Sequence, residues 1–212
     1  MKVIFLDIDG VMNSQVFYHN RYQKLNKRIW RIYYKSLKWI KFIFNGFKHK
    51  YTTLADYKPN PKHETLEYNI KRLKEETCSD KWEWLSELCN ENDYKICISS
   101  VWKNHFKSNE DWNKALIELG FNDRVYIGRT QGRETLRGSE IKNWIESNND
   151  IEKYAIIDDD SDMLKEQFKN FFHSDGYYGL TPNMLYRLDK HMKGEFEYEH
   201  LNENYMEMYN LN

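Results

Sequence analysis

The sequence predicts an α/β protein with a parallel sheet and helices on both faces. Short apolar segments alternate with amphipathic helical patterns along most of the chain. Strands and helices that alternate in this way form a parallel sheet, because each helix carries the chain back to the start of the next strand. Two apolar segments also end in acid-rich sequence, and open α/β sheets bind ligands at the carboxyl ends of their strands.

The individual elements follow from the spacing of apolar residues and from helix start and stop signals. The predicted strands are 2–7, 94–98, 124–128, 154–157 and 170–173. The predicted helices are about 81–91, 110–119, 138–148, 162–169 and 182–192. Gly120 is expected to end the helix before it, and Pro182 is typical of the first turn of a helix.

The chain has 212 residues, which suits one α/β domain with an insertion. We expect residues 1–16 and 81–193 to form the core, with 17–80 as a helical cap insertion after the first strand. Residues 194–212 form an acidic tail, with five Glu and no Lys or Arg. Two interpretations of the tail stay open: it folds back onto the insertion, or it is a loosely ordered or partner-binding segment.

The insertion contains a strongly basic amphipathic helical pattern. One side carries what we call the basic stripe: Lys24, Arg28, Arg31, Lys35 and Lys38. A cap helix that packs its apolar side and solvates its charges is the simpler interpretation. A one-sided charge excess also favours an anionic neighbour, which could be a nucleic acid, a membrane surface or another chain. Arg28, Arg31 and Lys35 are therefore candidate substrate-binding residues.

The first strand ends in two acids and a glycine. Asp7 and Asp9 follow an apolar run, and Gly10 comes directly after them. Two carboxylates at a strand end form a hard oxygen site suited to Mg²⁺. A structural role for either acid is the alternative, but acids held beside a buried strand more often mark a functional site.

Polar residues follow two further strands and open one helix. Ser99 and Ser100 come after the second strand, and Asp158 and Asp159 come after the fourth. Arg137 stands at the start of the predicted helix 138–148. Because the carboxyl ends of parallel strands share one edge of the sheet, the serines and acids are expected to face Asp7.

These four segments, in this order, resemble the motifs of the haloacid dehalogenase (HAD) superfamily of phosphotransferases. Within it they resemble the HAD domain of Swiss Army Knife RNA repair proteins. The similar segments are 5–14, 98–103, 137–141, 156–163 and 179–181. The resemblance covers residues 1–16 and about 82–191, and it implies a HAD-like Rossmann-type sheet with a cap insertion.

The resemblance implies a role for each acid. Asp7 would be the nucleophile that forms an aspartyl-phosphate, and Asp9 would act as general acid and then as base. Mg²⁺ would be held by Asp7, the main-chain carbonyl of Asp9 and Asp158. Asp159 would help to fix this metal site.

The same resemblance implies phosphate-binding residues. Ser99 would hydrogen-bond a phosphate oxygen, with Ser100 as the rival for that role. Arg137 would supply the basic residue, because it lies at the helix start, while Lys142 is the alternative further along the helix. Lys103 is a further candidate for contact with substrate phosphate, although a solvated surface lysine is the commoner outcome.

The implied function is a Mg²⁺-dependent phosphomonoesterase that acts on a nucleic acid end or a nucleotide phosphate. A small-metabolite phosphatase, a phosphomutase and a non-catalytic module that binds RNA or another anion stay open as alternatives. A dehalogenase is disfavoured, because an acid at the position of Asp9 belongs to the phosphotransferases of this superfamily.

Composition predicts a cytoplasmic protein. The three cysteines are odd in number and lack CxxC spacing, so no disulfide framework is indicated. The seven histidines lack zinc-ligand spacing. No signal-peptide pattern and no run of about 18 apolar residues occurs, so a transmembrane segment is not expected. Peripheral membrane contact through the basic stripe is the weaker alternative to a nucleic acid partner.

Overall fold

The computed structural model describes residues 1–24, 65–132 and 136–195, with side chains described only to residue 19 in the first range. The side chains of the basic stripe lie outside the described residues, so the predictions for Arg28, Arg31 and Lys35 stay predictions. The tail from residue 196 onward also lies outside them.

The described chain forms a sheet of five parallel strands in the order β3-β2-β1-β4-β5. The strands are β1 Lys2–Leu6, β2 Lys95–Ile98, β3 Tyr126–Arg129, β4 Lys153–Asp158 and β5 Phe171–His173. The predicted parallel α/β sheet is confirmed. β3 begins two residues later than predicted, because Val125 donates to Asn122 in a turn that precedes the strand.

Helices connect these strands. They are α1 Gln15–Lys24, α2 Leu66–Glu76, α3 Ser79–Asn92, α4 Asn109–Ile117, α5 Arg137–Glu146 and α6 Pro182–Lys193. Two 3₁₀ helices occupy Val101–His105 and Lys165–Asn170. Among the described helices, none is both long and apolar enough to cross a membrane.

The prediction of an α-helix over 162–169 was wrong. The chain forms the shorter 3₁₀ helix Lys165–Asn170 instead. The physical reason lies in Asp162, whose carboxylate accepts a hydrogen bond from the backbone N–H of Arg137 and whose carbonyl accepts one from Gly138. These contacts hold the segment after β4 against the start of α5, so the helix begins at Lys165 and not at residue 162.

The core lies on both faces of the sheet. Ile4 and Leu6 of β1 point to one face, where Leu85 of α3 and Leu188 of α6 pack against them. The other face forms a second cluster, which includes Val3, Phe5, Ile141, Ile156 and Phe168. β1 is therefore buried on both faces. Asp7 follows it and lies at the carboxyl end of the central strand.

α2 lies within the segment predicted as an insertion, yet it packs on the core. Thr65 caps its start by accepting from the backbone N–H of Tyr68. Leu73 is fully buried in the same cluster as Ile4. Thr77 donates to the carbonyl of Leu73 and accepts from the indole of Trp82, which ties α2 to α3. The limits of cap, core and tail remain a prediction.

Candidate active site

The register of the central strands brings the motif residues together. Leu6 pairs with Ile98 of β2 and with Ile157 of β4. The backbone continues this pairing, because Asp7 donates to Ile157 at 2.9 Å and Ser99 donates to Leu6 at 3.0 Å. Residues that follow paired positions in parallel strands stand side by side at the same edge. The sheet therefore places Asp7 beside the ends of β2 and β4.

Three carboxylates converge at this edge. Asp7, Asp158 and Asp159 each offer an oxygen, and these oxygens lie within 4.8 Å of one another. Asp7 is 3% exposed and Asp158 is fully buried. Gly10 allows Asp159 to approach, since a Cβ on Gly10 would stand 1.9 Å from an oxygen of Asp159. Gly10 also adopts a positive φ of 67°, which side chains rarely tolerate.

Arg137 is the cation that the fold brings to these acids. It opens α5, and its Nη1 lies 2.7 Å from Oδ1 of Asp7 and 3.2 Å from Oδ2 of Asp158. The next residue, Gly138, lets α5 begin close to the site, because a Cβ there would stand 2.5 Å from the backbone nitrogen of Leu164. The helix start thus points the guanidinium at the strand ends.

Lys142, the alternative to Arg137, lies elsewhere. Its ammonium pairs with Glu166 at 3.3 Å, and half of the Lys142 side chain is exposed. Lys142 lies five positions after Arg137, about 1.4 turns, so its side chain leaves α5 on a different face and further along the helix. The structure places Arg137, and not Lys142, against the carboxylate cluster.

Burial sets the electrostatics of the site. It raises the pKa of Asp7 and of Asp158, and the neighbouring Asp7 raises the pKa of Asp158 further, while Arg137 opposes both shifts. Burial lowers the pKa of the Arg137 guanidinium, but Asp158 and Asp7 outweigh it, so the net shift is upward. Arg137 pairs with two of the three acids, and the raised pKa values of Asp7, Asp158 and Asp159 show that full ionisation of the group is costly without a further cation.

The residues present fit a divalent cation. Oδ2 of Asp158 is buried and has no hydrogen-bond partner among the described residues, although Arg137 lies 3.2 Å away without hydrogen-bond geometry. A buried carboxylate oxygen left in this way is costly, and a cation would satisfy it. Carboxylate oxygens are the ligands that Mg²⁺ prefers. Asp7, Asp158 and Asp159 are therefore the candidate metal ligands, and the main-chain carbonyl of Asp9 remains a predicted ligand.

The side chain of Asp9 stands apart from the metal-binding group and is held by two donors. The indole Nε1 of Trp102 lies 3.0 and 3.1 Å from the two oxygens of Asp9. The amide of Asn13 donates to the same carboxylate at 2.9 Å, and its oxygen accepts from the backbone of Gly10 at 2.8 Å. Asp9 is exposed at the mouth of the site with its carboxyl orientation fixed.

The two serines have different surroundings. Ser100 caps the 3₁₀ helix by accepting from the backbone N–H of Trp102, and its hydroxyl lies near enough to Asp7 to lower the pKa of that carboxyl. The hydroxyl of Ser99 is buried and has no hydrogen-bond partner among the described residues. Ser99 therefore keeps its hydrogen-bonding capacity for a ligand, while Ser100 supports Asp7.

Lys103, a candidate contact for substrate phosphate, is not the solvated surface lysine that was the alternative. It is almost fully buried, and its ammonium ion-pairs with Glu140 and donates to Thr130 at 3.1 Å. Glu140 also accepts from the hydroxyl of Thr130 at 3.0 Å. The side chain thus joins the segment after β2 to α5, and we do not include it among the proposed phosphate ligands.

Sequence patterns missed Trp102 and Asn13 as site residues. The apolar ring of Trp102 predicts a core residue, and in the structure the residue is 3% exposed. Its N–H meets a carboxylate 93 positions away, which no local pattern shows. Asn13 lies four residues after Asp9, within the segment 5–14 that resembles the HAD domains, and the sequence assigned it no role.

We predict that Arg137→Ala lowers phosphatase activity by about 10²-fold or more, as loss of a preorganised charge donor does. Lys142→Ala removes a cation of the same helix that stands against Glu166, so its kcat/KM is expected to stay near wild type. The measurement is kcat/KM for both variants. A larger loss in Lys142→Ala would show that the basic residue has been misassigned.

One protein-family model matches the chain over residues 3–185, and it is described as the HAD domain in Swiss Army Knife RNA repair proteins. The match includes all but the first residue of β1, every described site residue and the first turn of α6. Neither the curated proteins nor the solved structures contain a match to this chain.

Proposed function

The chain belongs to the family of HAD domains in Swiss Army Knife RNA repair proteins, and from this premise we propose that it is a Mg²⁺-dependent phosphomonoesterase that uses Asp7 as nucleophile. The family supports a HAD-type phosphatase in general. The observation that carries the finer proposal is the carboxylate group of Asp7, Asp158 and Asp159 with Arg137 set against it.

Asp7 is suited to attack a phosphoryl group. The strand end fixes its backbone, and Ser100 and Arg137 orient its carboxyl. Mg²⁺ bound by Asp7 and Asp158 would neutralise negative charge on the carboxylates and the phosphate, which otherwise repel. Arg137 and the unpartnered hydroxyl of Ser99 supply donors for phosphate oxygens.

In the first half-reaction, an oxygen of Asp7 forms a bond to phosphorus as the bond to the leaving oxygen breaks. Asp9 gives its proton to that leaving oxygen, which departs as an alcohol. In the second half-reaction, Asp9 removes a proton from water, and the water oxygen attacks phosphorus. The bond between phosphorus and Asp7 breaks, so inorganic phosphate leaves and the Asp7 carboxylate is restored.

The substrate we propose is a phosphorylated nucleic acid end or a nucleotide. The family description associates these domains with RNA repair. The basic stripe supports the same class, because Lys and Arg that share one side of a predicted helix favour a polyanion. Asp9 is exposed with respect to the described residues, so these residues leave a terminal phosphate access to its carboxyl.

A substrate panel with and without a chelator tests this proposal. It comprises 3′- and 5′-phosphorylated oligonucleotides, mononucleotides, sugar phosphates and a nitrophenyl phosphate, each with Mg²⁺ or EDTA. We expect Mg²⁺-dependent release of phosphate, fastest from oligonucleotides or nucleotides. Preference for sugar phosphates would indicate a metabolite phosphatase, and phosphate transfer within a sugar would indicate a mutase. No turnover of any member would contradict the proposed activity.

The basic stripe has its own test. We predict that replacing Arg28, Arg31 and Lys35 by Glu weakens oligonucleotide binding and lowers its salt dependence. Each lost phosphate contact lowers the slope of log affinity against log salt by about 0.7 for single strands. The measurement is oligonucleotide affinity at several salt concentrations, with hydrolysis of nitrophenyl phosphate expected to stay near wild type.

A charge-matched control separates the effect of the basic stripe from the effect of the protein's net charge. The lysines at 107, 114 and 169 are exposed and lie away from the stripe in sequence. Replacing these three by Glu changes the net charge equally, so affinity and slope are expected to change much less. If the stripe variant keeps the wild-type oligonucleotide affinity and salt dependence, the basic stripe does not bind substrate. A small phosphorylated metabolite then becomes the favoured substrate.

A further inference from the structure

We infer that Trp102 is a positioning residue for the reaction, whose indole N–H holds the carboxyl of Asp9 in line with the leaving oxygen. The inference rests on the proposed function, in which Asp9 donates the proton that the leaving oxygen needs. It adds a residue from outside the acidic and basic motifs, on the 3₁₀ helix that follows β2.

The contact is well formed. The indole Nε1 lies 3.0 Å from Oδ1 and 3.1 Å from Oδ2 of Asp9, so one donor bridges both oxygens. Asn13 donates to Oδ1 from within the loop that follows β1. A donor from each side fixes the plane of the carboxyl, which an exposed aspartate on a loop would otherwise rotate freely.

Trp102 itself is rigid. Its ring is almost fully buried in the core cluster, and Ser100 caps the first turn of its helix. The guanidinium carbon of Arg72 stands 5.0 Å from the ring centroid, within the range of a cation–π contact. His105 packs edge-on at 5.2 Å. Only the edge of the indole that bears the N–H is directed to Asp9.

Arg72 connects this arrangement to α2. Its guanidinium is held by Glu76 through contacts of 2.9 and 3.2 Å, so its position over the ring is itself fixed. Asn69 of the same helix donates to the carbonyl of His105, which anchors the far end of the 3₁₀ helix. The position of Asp9 is therefore coupled, through Trp102 and Arg72, to α2.

Rigid support matters because proton donation depends on geometry. A misplacement of about 1 Å can cost about 10²-fold in rate. A phenylalanine at position 102 would keep a buried aromatic ring but would leave a small cavity and lose the indole donor. A buried Trp N–H needs a partner, and here the partner is the proposed acid and not a backbone carbonyl.

The test compares two substrates in a Trp102→Phe variant. An alkyl phosphate has a poor leaving group that needs a proton, whereas nitrophenyl phosphate has a good leaving group that does not. We expect kcat/KM for the alkyl phosphate to fall by about 10²-fold, the lower end of general acid catalysis, and for nitrophenyl phosphate to fall much less. Because kcat/KM ends at the first irreversible step, the shared second half-reaction does not enter this comparison.

A second tryptophan provides the matched control. Trp82 is 1% exposed, and its indole donates to the hydroxyl of Thr77 at 2.7 Å, away from Asp9. Trp82→Phe removes the same group from the same core cluster, so the ratio between the two substrates is expected to stay at its wild-type value. Any loss of stability would then act on both substrates alike.

Loss of folding in Trp102→Phe can be separated from loss of the N–H donor. If Trp102→Phe unfolds, incorporation of benzothienylalanine at position 102 keeps the bicyclic shape and removes only the N–H donor. An equal fall for both substrates, or no fall for either, in a folded variant would overturn the inference. A wild-type protein that hydrolyses neither substrate would instead contradict the proposed function, so the two failures are distinguishable.

Discussion

An Asp7→Asn variant is expected to lose phosphatase activity by about 10⁴-fold or more, as removal of a covalent nucleophile does. An amide oxygen does not form the phosphorylated intermediate, and the other acids of the group are not equivalent. Asp158 and Asp159 stand in the metal-binding group, and the carboxyl of Asp9 is held by Trp102 and Asn13. The measurement is kcat/KM at saturating Mg²⁺.

The fold is expected to survive this change, because Arg137 keeps Asp158 as a partner. Thermal unfolding monitored by circular dichroism checks this point. Asp123→Asn is the matched control, since Asp123 is an exposed acid before β3 and lies at the opposite edge of the sheet from Asp7. Activity of Asp7→Asn within about tenfold of wild type would contradict its assignment as nucleophile.

The second large effect is expected at the metal site. Asp158→Asn should raise the Mg²⁺ concentration for half-maximal activity steeply and lower the maximal rate by about 10³-fold, since a catalytic metal supplies several kcal/mol of charge stabilisation. The reason is that Asp158 is fully buried between Asp7 and Arg137 and has one oxygen without a hydrogen-bond partner.

Mg²⁺ binding gives a second readout that does not depend on turnover. A bound ion stabilises the folded wild type, so Mg²⁺ should raise its unfolding temperature, and this increase should shrink in Asp158→Asn. Asp160→Asn is the control, because Asp160 is exposed and contacts Asp158 through its backbone N–H. An Asp158→Asn variant with wild-type Mg²⁺ dependence would show that the ion binds elsewhere.

The sheet and the acids could be predicted from the sequence because both depend on local patterns. Apolar runs mark the buried strands, and Asp7, Ser99 and Asp158 each directly follow or end such a run. The parallel arrangement then brings these strand ends to one edge without further information. This is why residues far apart in the sequence could be assigned to one site.

Contacts between side chains that lie away from the strand ends could not be predicted, because no apolar run marks their positions. The pairing of Trp102 with Asp9 and of Lys103 with Glu140 depends on where the 3₁₀ helix settles against β1 and α5. The choice between Arg137 and Lys142 also needed the position of α5 relative to the strands. In each case the sequence supplies the functional group but not its partner.

α2 shows a different limit. Leu66, Ile70 and Leu73 recur at helical spacing, and the structure packs them on the core. The segment 17–80 was predicted as an insertion because it separates the first two strands and lies outside the segments that resemble the HAD domains. The apolar spacing of α2 is a local signal that this helix packs on the core.

The most direct test of the account is to trap the phosphorylated enzyme. Wild type and Asp7→Asn are mixed with substrate and Mg²⁺, quenched in acid within a single turnover, and treated with borohydride, which reduces an aspartyl-phosphate to homoserine. Mass spectrometry of the amino-terminal peptide is predicted to find homoserine at position 7 in wild type and none in the variant. An active wild type with the modification at another residue, or with none on rapid quenching, would contradict Asp7 as the nucleophile.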